Sequence, residues 1–133
     1  MMNQTKANHI LLVDDDEDDQ FLVQQVIKQY SPDSSIDVLG DGEQLLDALE
    51  QSPRLPDLVL LDLNMPRMGG LEALGHIRAN EAYEHLPIII LTTSDSSQDR
   101  QQAQRLQATD YLVKPGNTQQ MNQLVLAIKR QWL

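Results

Sequence analysis

Five short apolar runs recur along the chain, and amphipathic segments lie between them. Two of the runs, Leu58–Leu61 and Ile88–Leu91, are apolar at every position rather than at alternate positions. Continuous apolar runs of this length are typical of strands that are covered on both faces, as in a parallel sheet. The predicted strands, in chain order, are His9–Val13, Ser35–Leu39, Asp57–Leu61, Ile88–Leu91 and Tyr111–Val113.

The segments between the runs carry apolar residues at the three- and four-residue spacing of a helix with one buried face. The first segment opens with an acidic turn, residues 17–19, and the last has the clearest apolar stripe, residues 121–132. Asn117 or Thr118 is available as the N-cap of that last helix. The segment after Ser96 has the fewest apolar positions, so its helix is the least strongly indicated.

Strand and helix patterns alternate five times, which predicts an α/β fold. Such an order places one parallel sheet between helices on both faces, joined by right-handed crossovers. A chain of 133 residues is long enough for one self-sufficient core. We therefore expect a single domain over residues 1–133, with a core from about residue 8 and a flexible N-terminal segment at residues 1–7.

Composition argues against several classes of function. With 20 acidic and 10 basic residues, the formal net charge is −10, which disfavours general nucleic-acid binding and binding to an anionic membrane. The chain has no cysteine, so disulfides, thiolate metal sites and a catalytic thiol are excluded. No apolar run approaches the roughly 20 residues that span a bilayer, and the first residues lack a signal core. We expect a cytoplasmic protein.

Polar side chains lie where four of the predicted strands end. Asp14 and Asp15 follow the first strand, Asp62 the third, Thr92 the fourth and Lys114 the fifth. The carboxyl ends of parallel strands meet at one edge of the sheet, where open α/β folds bind their ligands. We therefore expect these five residues to form one site.

The charges of this predicted site indicate a divalent cation. Carboxylates in contact repel each other by about 4 kcal/mol per pair at roughly 4 Å and an effective dielectric constant of about 20. Lys114 offsets one charge, and a cation held by Asp14, Asp15 and Asp62 would offset the rest. Mg²⁺ suits such a site because it keeps several waters and also binds phosphate oxygens.

A carboxylate beside a cation can act as a nucleophile toward phosphorus. Phosphoryl transfer needs little more than positioning and positive charge against the phosphoryl oxygens. We therefore predict that Asp62 accepts a phosphoryl group and that Asp14 and Asp15 hold the metal. Lys114 would supply a fixed cation, and the Thr92 hydroxyl would donate to a phosphoryl oxygen.

The order and spacing of these motifs resemble a known family. Over about residues 8–133 the chain is similar to the receiver domain of bacterial two-component response regulators. The likeness extends to stand-alone regulators of the chemotaxis or phytochrome type. The motifs that carry it are Asp14-Asp15, Leu61-Asp62, Met65-Pro66, Gly69-Gly70, Leu91-Thr92 and Tyr111-Leu112-Val113-Lys114-Pro115.

The resemblance implies a flavodoxin-like fold with sheet order 2-1-3-4-5. It also implies that Asp62 is phosphorylated by the phosphohistidine of a sensor histidine kinase. The backbone carbonyl of Asn64 would then join Asp14, Asp15 and Asp62 as a ligand of Mg²⁺.

A switch pair and a cis peptide bond are further implications of the resemblance. Thr92 and Tyr111 would be the pair: the hydroxyl moves toward the phosphoryl group and the ring turns inward. The Lys114–Pro115 bond would be cis. Two positions depart from the family pattern, since Gly116 replaces a frequent aromatic residue and Gly69 replaces a frequent acidic cap.

Some of these residues also have simpler structural explanations. The acidic residues 16–19 complement the dipole of the first helix, and we assign them no role in the site. The acidic run from Asp14 to Asp19 lacks the central glycine that a calcium-binding loop requires, so we do not assign a calcium loop here. A half-buried aromatic residue at Tyr111 needs no switch to explain it. His9, His76 and His85 lack the spacing of metal ligands and are interpreted as structural or exposed.

The function that these residues favour is a phosphorylation-controlled switch that catalyses only its own phosphorylation and dephosphorylation. Its partners would be a sensor histidine kinase and a downstream protein, with homodimerisation as a further option. A phosphatase of the haloacid dehalogenase type is the enzymatic alternative, but that family has a second Asp where this chain has Asn64. A phosphate-relay intermediate is a third alternative, which the sequence does not separate from a terminal switch.

Overall fold

A computed structural model of the chain describes residues 8–133, so the prediction for residues 1–7 falls outside it. Within the described range, five strands alternate with five α-helices, and a short 3-10 helix at Glu81–Tyr83 precedes the fourth strand. The elements are β1 (His9–Val13), α1 (Glu17–Tyr30), β2 (Ser35–Leu39), α2 (Gly42–Gln51), β3 (Leu58–Leu61), α3 (Gly70–Arg78), β4 (Ile88–Thr92), α4 (Ser97–Arg105), β5 (Asp110–Val113) and α5 (Thr118–Trp132).

The five strands form one sheet in the order β2-β1-β3-β4-β5, and every neighbouring pair is parallel. This is the flavodoxin-like α/β fold, and the prediction of fold class and strand order is confirmed. In this order β1 and β3 are neighbours, with Val13 opposite Leu61. The residues that follow these two strands therefore emerge side by side at the carboxyl edge.

Two hydrophobic cores cover the two faces of the sheet, because alternate strand residues point in opposite directions. Ile10 and Leu12 of β1 pack with residues of α1 and α5. Leu11 and Val13 of the same strand pack with residues of α2, α3 and α4. Strands buried on both faces explain why the central runs are continuously apolar.

Small differences from the predicted boundaries follow from the hydrogen bonds at the strand ends. The third strand begins at Leu58 rather than at Asp57, whose carboxylate accepts a bond from the His9 backbone N–H at 2.8 Å. The fourth strand extends to Thr92, because its carbonyl accepts a bond from the Lys114 N–H at 2.7 Å. The 3-10 helix was not predicted, since three residues are too few to show a periodicity.

Side chains cap four of the five α-helices. Asp16, Asp41, Ser96 and Asn117 each accept a bond from the backbone N–H three residues later. Of the two candidates for α5, the cap is therefore Asn117. Helix α4 buries only Ala103, in agreement with its weak apolar pattern.

The start of α3 lies directly against the backbone that carries Asp62. The N–H of Gly70 donates to the Leu63 carbonyl at 2.9 Å. A Cβ atom added at Gly70 would lie 2.1 Å from the Asp62 carbonyl oxygen. Only glycine permits this approach, which fixes the backbone just after β3.

The predicted cis bond between Lys114 and Pro115 is wrong. Within residues 8–133 every peptide bond is trans, which is the commoner state even before proline. The trans bond is compatible with the site, because the Lys114 side chain still reaches Asp14 at 2.7 Å.

No helix among residues 8–133 combines the length and the apolar character that crossing a membrane requires.

Candidate functional site

Three carboxylates converge at the carboxyl edge of the sheet. Asp14, Asp15 and Asp62 each place one oxygen within 4.8 Å of the other two. Asp14 and Asp62 are buried, whereas Asp15 is exposed, so the cluster opens to solvent on one side. The backbone holds them in place: the Asp62 N–H donates to the Val13 carbonyl and the Asp14 N–H to the Leu39 carbonyl, both at 2.9 Å.

The two carboxylate oxygens of Asp62 have different surroundings. Its Oδ1 accepts a hydrogen bond from the Leu63 backbone N–H at 2.8 Å, which fixes the orientation of the group. Its Oδ2 lies 3.6 Å from the Nζ of Lys114, an ion pair that is too long for a hydrogen bond. One oxygen is therefore anchored, and the other faces a cation without being bonded to it.

Lys114 places a buried ammonium group in the middle of the site. Its side chain is only 3% exposed, and its Nζ donates to Asp14 Oδ2 at 2.7 Å and to Asp19 Oδ2 at 2.8 Å. Burial alone lowers the pKa of Lys114, but the hydrogen bonds to Asp14 and Asp19, together with the negative charges of Asp62 and Asp14, outweigh it and raise the pKa above its ordinary value. Lys114 is thus a permanent positive charge at neutral pH.

Burial disfavours the ionised form of the Asp14 carboxylate. Burial raises the pKa of Asp14, and hydrogen bonds from Lys114 and from the Asp16 N–H oppose the rise only in part. The negative charge of Asp62 raises the pKa further. An additional cation beside these groups would favour their charged forms.

The donor set fits a hard divalent cation. Carboxylate oxygens are the ligands that Mg²⁺, Ca²⁺ and Mn²⁺ prefer. The Lys114 ammonium group lies 2.7, 2.8 and 3.6 Å from the carboxylates of Asp14, Asp19 and Asp62, respectively. Asp15 adds a further negative charge to the cluster that it forms with Asp14 and Asp62. The excess of negative charge and the open side at Asp15 together favour a bound cation with room for further ligands.

Asp19 is a site residue that the sequence analysis missed. The acidic residues 16–19 were all assigned to the dipole of the first helix, and Asp16 does cap α1. Asp19, however, reaches across to Lys114 at 2.8 Å. A signal for this was present, because Asp19 precedes Val23 by four residues and Val26 by seven, which places it on the buried face of α1.

Thr92 and Tyr111 contact the same residue of the loop between β4 and α4. The Oγ1 of Thr92 accepts a bond from the Ser94 N–H at 3.3 Å, and the Tyr111 hydroxyl donates to the Ser94 carbonyl at 2.9 Å. Both side chains are buried, and the guanidinium group of Arg100 lies 4.6 Å from the centre of the tyrosine ring. The ring therefore already lies inward here.

A second ion pair, also missed, fixes the loop between β3 and α3. Asp41 has no exposed side-chain surface and accepts bonds from the Gln44 N–H at 2.9 Å and from Arg67 Nε at 2.7 Å. The Gln44 bond lowers the pKa of Asp41 and Arg67 lowers it further, against the effect of burial. Arg67 adopts a left-handed conformation, with φ of 61°, and the ion pair holds the loop that contains Asn64.

Asn64 lies on the exposed part of that loop, two residues after Asp62. That its backbone carbonyl is a metal ligand stays a prediction.

The histidines lie apart from this site. His9 pairs with Asp37 at 2.8 Å. The acidic metal-binding group found among residues 8–133 contains no histidine.

Comparison with known proteins identifies the family. Residues 10–126 match the response regulator receiver domain. The response regulator Rcp1 of Synechocystis sp. is 37% identical over 130 residues, which cover 93% of this chain and 88% of that protein.

Solved structures agree with this assignment. The phosphorylated cyanobacterial phytochrome response regulator RcpA superposes with a TM-score of 0.91 at 29% identity, covering 96% of this chain and 94% of that one. The Mn²⁺-bound form of Rcp1 superposes with a TM-score of 0.88 at 36% identity, covering 95% and 94%.

Receiver domains are phospho-accepting signalling proteins that pair with histidine kinases, and they are not conventional enzymes. The acidic cluster of Asp14, Asp15 and Asp62 is consistent with such a phosphorylation site and with a divalent cation. The predicted resemblance is therefore confirmed. By sequence, fold and site, this chain belongs to the response regulator receiver domain family.

Proposed function

We propose that Asp62 accepts a phosphoryl group from the phosphohistidine of a sensor histidine kinase, and that this changes a protein-binding surface. The main support for this proposal comes from the groups that surround Asp62. Its carboxylate lies within 4.8 Å of the ligand oxygens of Asp14 and Asp15 and has one oxygen 3.6 Å from Lys114. Positive charge placed beside an acceptor carboxylate is what phosphoryl transfer requires.

The cation in this proposal is Mg²⁺, held by Asp14, Asp15, Asp62 and the carbonyl of Asn64. Three carboxylate oxygens within 4.8 Å and one open side suit an ion that keeps some of its water and also binds phosphate. When bound, Mg²⁺ supplies positive charge against the oxygens of the transferred group. The Mn²⁺-bound form of Rcp1 supports a divalent cation in a relative of similar structure.

The transfer forms one bond and breaks another. A carboxylate oxygen of Asp62 attacks phosphorus, while the P–N bond to the kinase histidine breaks and the imidazole nitrogen takes the bonding electrons. Lys114 remains protonated and meets the charge on the phosphoryl oxygens. The Thr92 hydroxyl donates to one of these oxygens, since it lies at the end of β4, next to β3 in the sheet.

The switch would start from the bonds to Ser94. If Thr92 turns toward the phosphoryl group, its bond from the Ser94 N–H at 3.3 Å is lost. The Ser94 carbonyl is bonded to the Tyr111 hydroxyl, so a shift of the loop acts on the ring as well. Phosphorylation would in this way shift an equilibrium at the surface of α4, β5 and α5.

That surface would bind a downstream protein or a second copy of the chain. The kinase partner is proposed to be of the phytochrome type, because RcpA is a phytochrome response regulator of closely similar structure. We further propose that residues 1–133 form a single receiver domain.

Incubation with acetyl phosphate and Mg²⁺ tests the proposal by intact mass. We expect a gain of one phosphoryl group, and no gain when EDTA removes the cation, because Mg²⁺ offsets the repulsion between the phosphoryl donor and the acidic cluster. A mixture with the chain and donor but with Na⁺ in place of Mg²⁺ is the control. A gain that is unaffected by EDTA, or steady hydrolysis of phosphate esters without a gain, would refute it.

A further inference from the structure

We propose that Asp19 is a positioning residue, which holds the Lys114 ammonium in the orientation that receives the phosphoryl group. The inference rests on the proposed function and extends it to a residue outside the carboxylate cluster. The metal-binding group contains Asp14, Asp15 and Asp62 but not Asp19. Among residues 8–133, the Asp19 carboxylate instead contacts the site through Lys114, at 2.8 Å.

The geometry of the ammonium group gives Asp19 this role. A lysine ammonium has three N–H donors. Asp14 and Asp19 accept two of them, at 2.7 and 2.8 Å, and Asp62 Oδ2 lies 3.6 Å from the same nitrogen. In the described part of the chain, the third donor is therefore left on the side of Asp62 without a bond of hydrogen-bond length.

Asp19 keeps this orientation when the site is loaded. The Asp14 carboxylate has two competing roles, because it accepts a hydrogen bond from Lys114 and is also a proposed metal ligand. Asp19 has no such competing role, so its bond is the one that remains when a cation draws on Asp14. Without Asp19, the ammonium group would be free to move toward Asp62 and to shorten the present 3.6 Å ion pair into a hydrogen bond with the acceptor oxygen.

The first turn of α1 is a rigid support for Asp19. The Asp19 N–H donates to Asp16 Oδ1, and the Asp16 N–H donates to Asp14 Oδ1, both at 3.0 Å. The side-chain amide of Gln20 donates to the Asp14 carbonyl at 2.5 Å. The helix that carries Asp19 is thus bonded to the same strand end that carries the site. The Asp19 side chain is 26% exposed, so its replacement leaves no buried cavity.

The test compares Asp19→Ala with Asp18→Ala. Asp18 is the exposed neighbour in the same helical turn, so both variants lose one carboxylate near the helix N-terminus. The rate of phosphorylation by acetyl phosphate is measured by intact mass, at a Mg²⁺ concentration that saturates each variant. We expect Asp19→Ala to be roughly tenfold slower than wild type, the effect of losing one charge-assisted hydrogen bond, and Asp18→Ala to be unchanged.

A double-mutant cycle with Lys114→Ala separates positioning from a general structural effect. If Asp19 acts through the ammonium group, Asp19→Ala has no further effect on the rate once Lys114 is removed. An equal slowing in both backgrounds, or equal rates for Asp18→Ala and Asp19→Ala, would overturn the inference. A wild-type chain that gains no phosphate would instead refute the proposed function, and so the two failures are distinguishable.

Discussion

Replacing Asp62 by Asn is expected to abolish the gain of one phosphoryl group from acetyl phosphate. The amide keeps the shape of the side chain, and its oxygen can still accept the bond from the Leu63 N–H, which is 2.8 Å long in the wild-type chain. The substitution removes the Asp62 carboxylate, however, which is both the nucleophile and one of the three carboxylates of the metal-binding group. The fold should survive while the chemistry is lost. Intact mass after incubation with Mg²⁺ and acetyl phosphate measures the result.

Asp47→Asn is the matched control, because Asp47 is an exposed carboxylate on α2. It should gain one phosphoryl group at the wild-type rate. A gain that survives in Asp62→Asn would place the acceptor elsewhere, and a gain lost in both variants would show that the assay responds to net charge.

Gly70→Ala is expected to destabilise the protein by roughly 3 kcal/mol, the upper end of the usual cost of overpacking. Replacing a glycine inside a helix by alanine normally stabilises the protein by about 1 kcal/mol, because alanine has the higher helix propensity. Here the added Cβ would lie 2.1 Å from the carbonyl oxygen of Asp62, a backbone atom that has no rotamer to change. The clash outweighs the gain in helix propensity. The free energy of unfolding from urea titration measures the effect.

Gly116→Ala is the control for this substitution. A Cβ at Gly116 would meet no atom within 4 Å, and no glycine in residues 8–133 has a positive φ. Its unfolding free energy should stay within about 0.5 kcal/mol of wild type. Equal stability of the two alanine variants would contradict the close approach of α3 to the Asp62 backbone.

The sequence predicted the fold because its signals are local and repeated. Continuous apolar runs in β3 and β4 indicated strands buried on both faces, and the amphipathic segments between strands indicated helices on both sides of the sheet. The order of the strands came from the family resemblance, since apolar periodicity does not contain it. Convergence of Asp14, Asp15 and Asp62 followed from their common position at strand ends, a property of parallel sheets rather than of these residues.

What the sequence did not predict depends on contacts between distant segments. Asp19 and Lys114 are 95 positions apart, and Arg67 and Asp41 are 26 apart. An acidic residue in a first helical turn and an Asp before a helix each have a sufficient local explanation, namely the dipole and the cap. Because these local roles were sufficient, the contact of Asp19 with Lys114 and the buried ion pair of Asp41 with Arg67 were not expected from the sequence. The Lys114–Pro115 bond, which the family resemblance implied to be cis, is trans.

A crystal structure of the protein with Mg²⁺ and beryllium fluoride, a mimic of the phosphoryl group, tests most directly whether Asp62 is the acceptor in a cation site. We expect the mimic on the Asp62 carboxylate and Mg²⁺ at about 2.1 Å from oxygens of Asp14, Asp15 and Asp62. Lys114 Nζ and Thr92 Oγ1 should contact the mimic directly. A cation bound away from the three carboxylates, or a mimic on a different side chain, would contradict the proposed site.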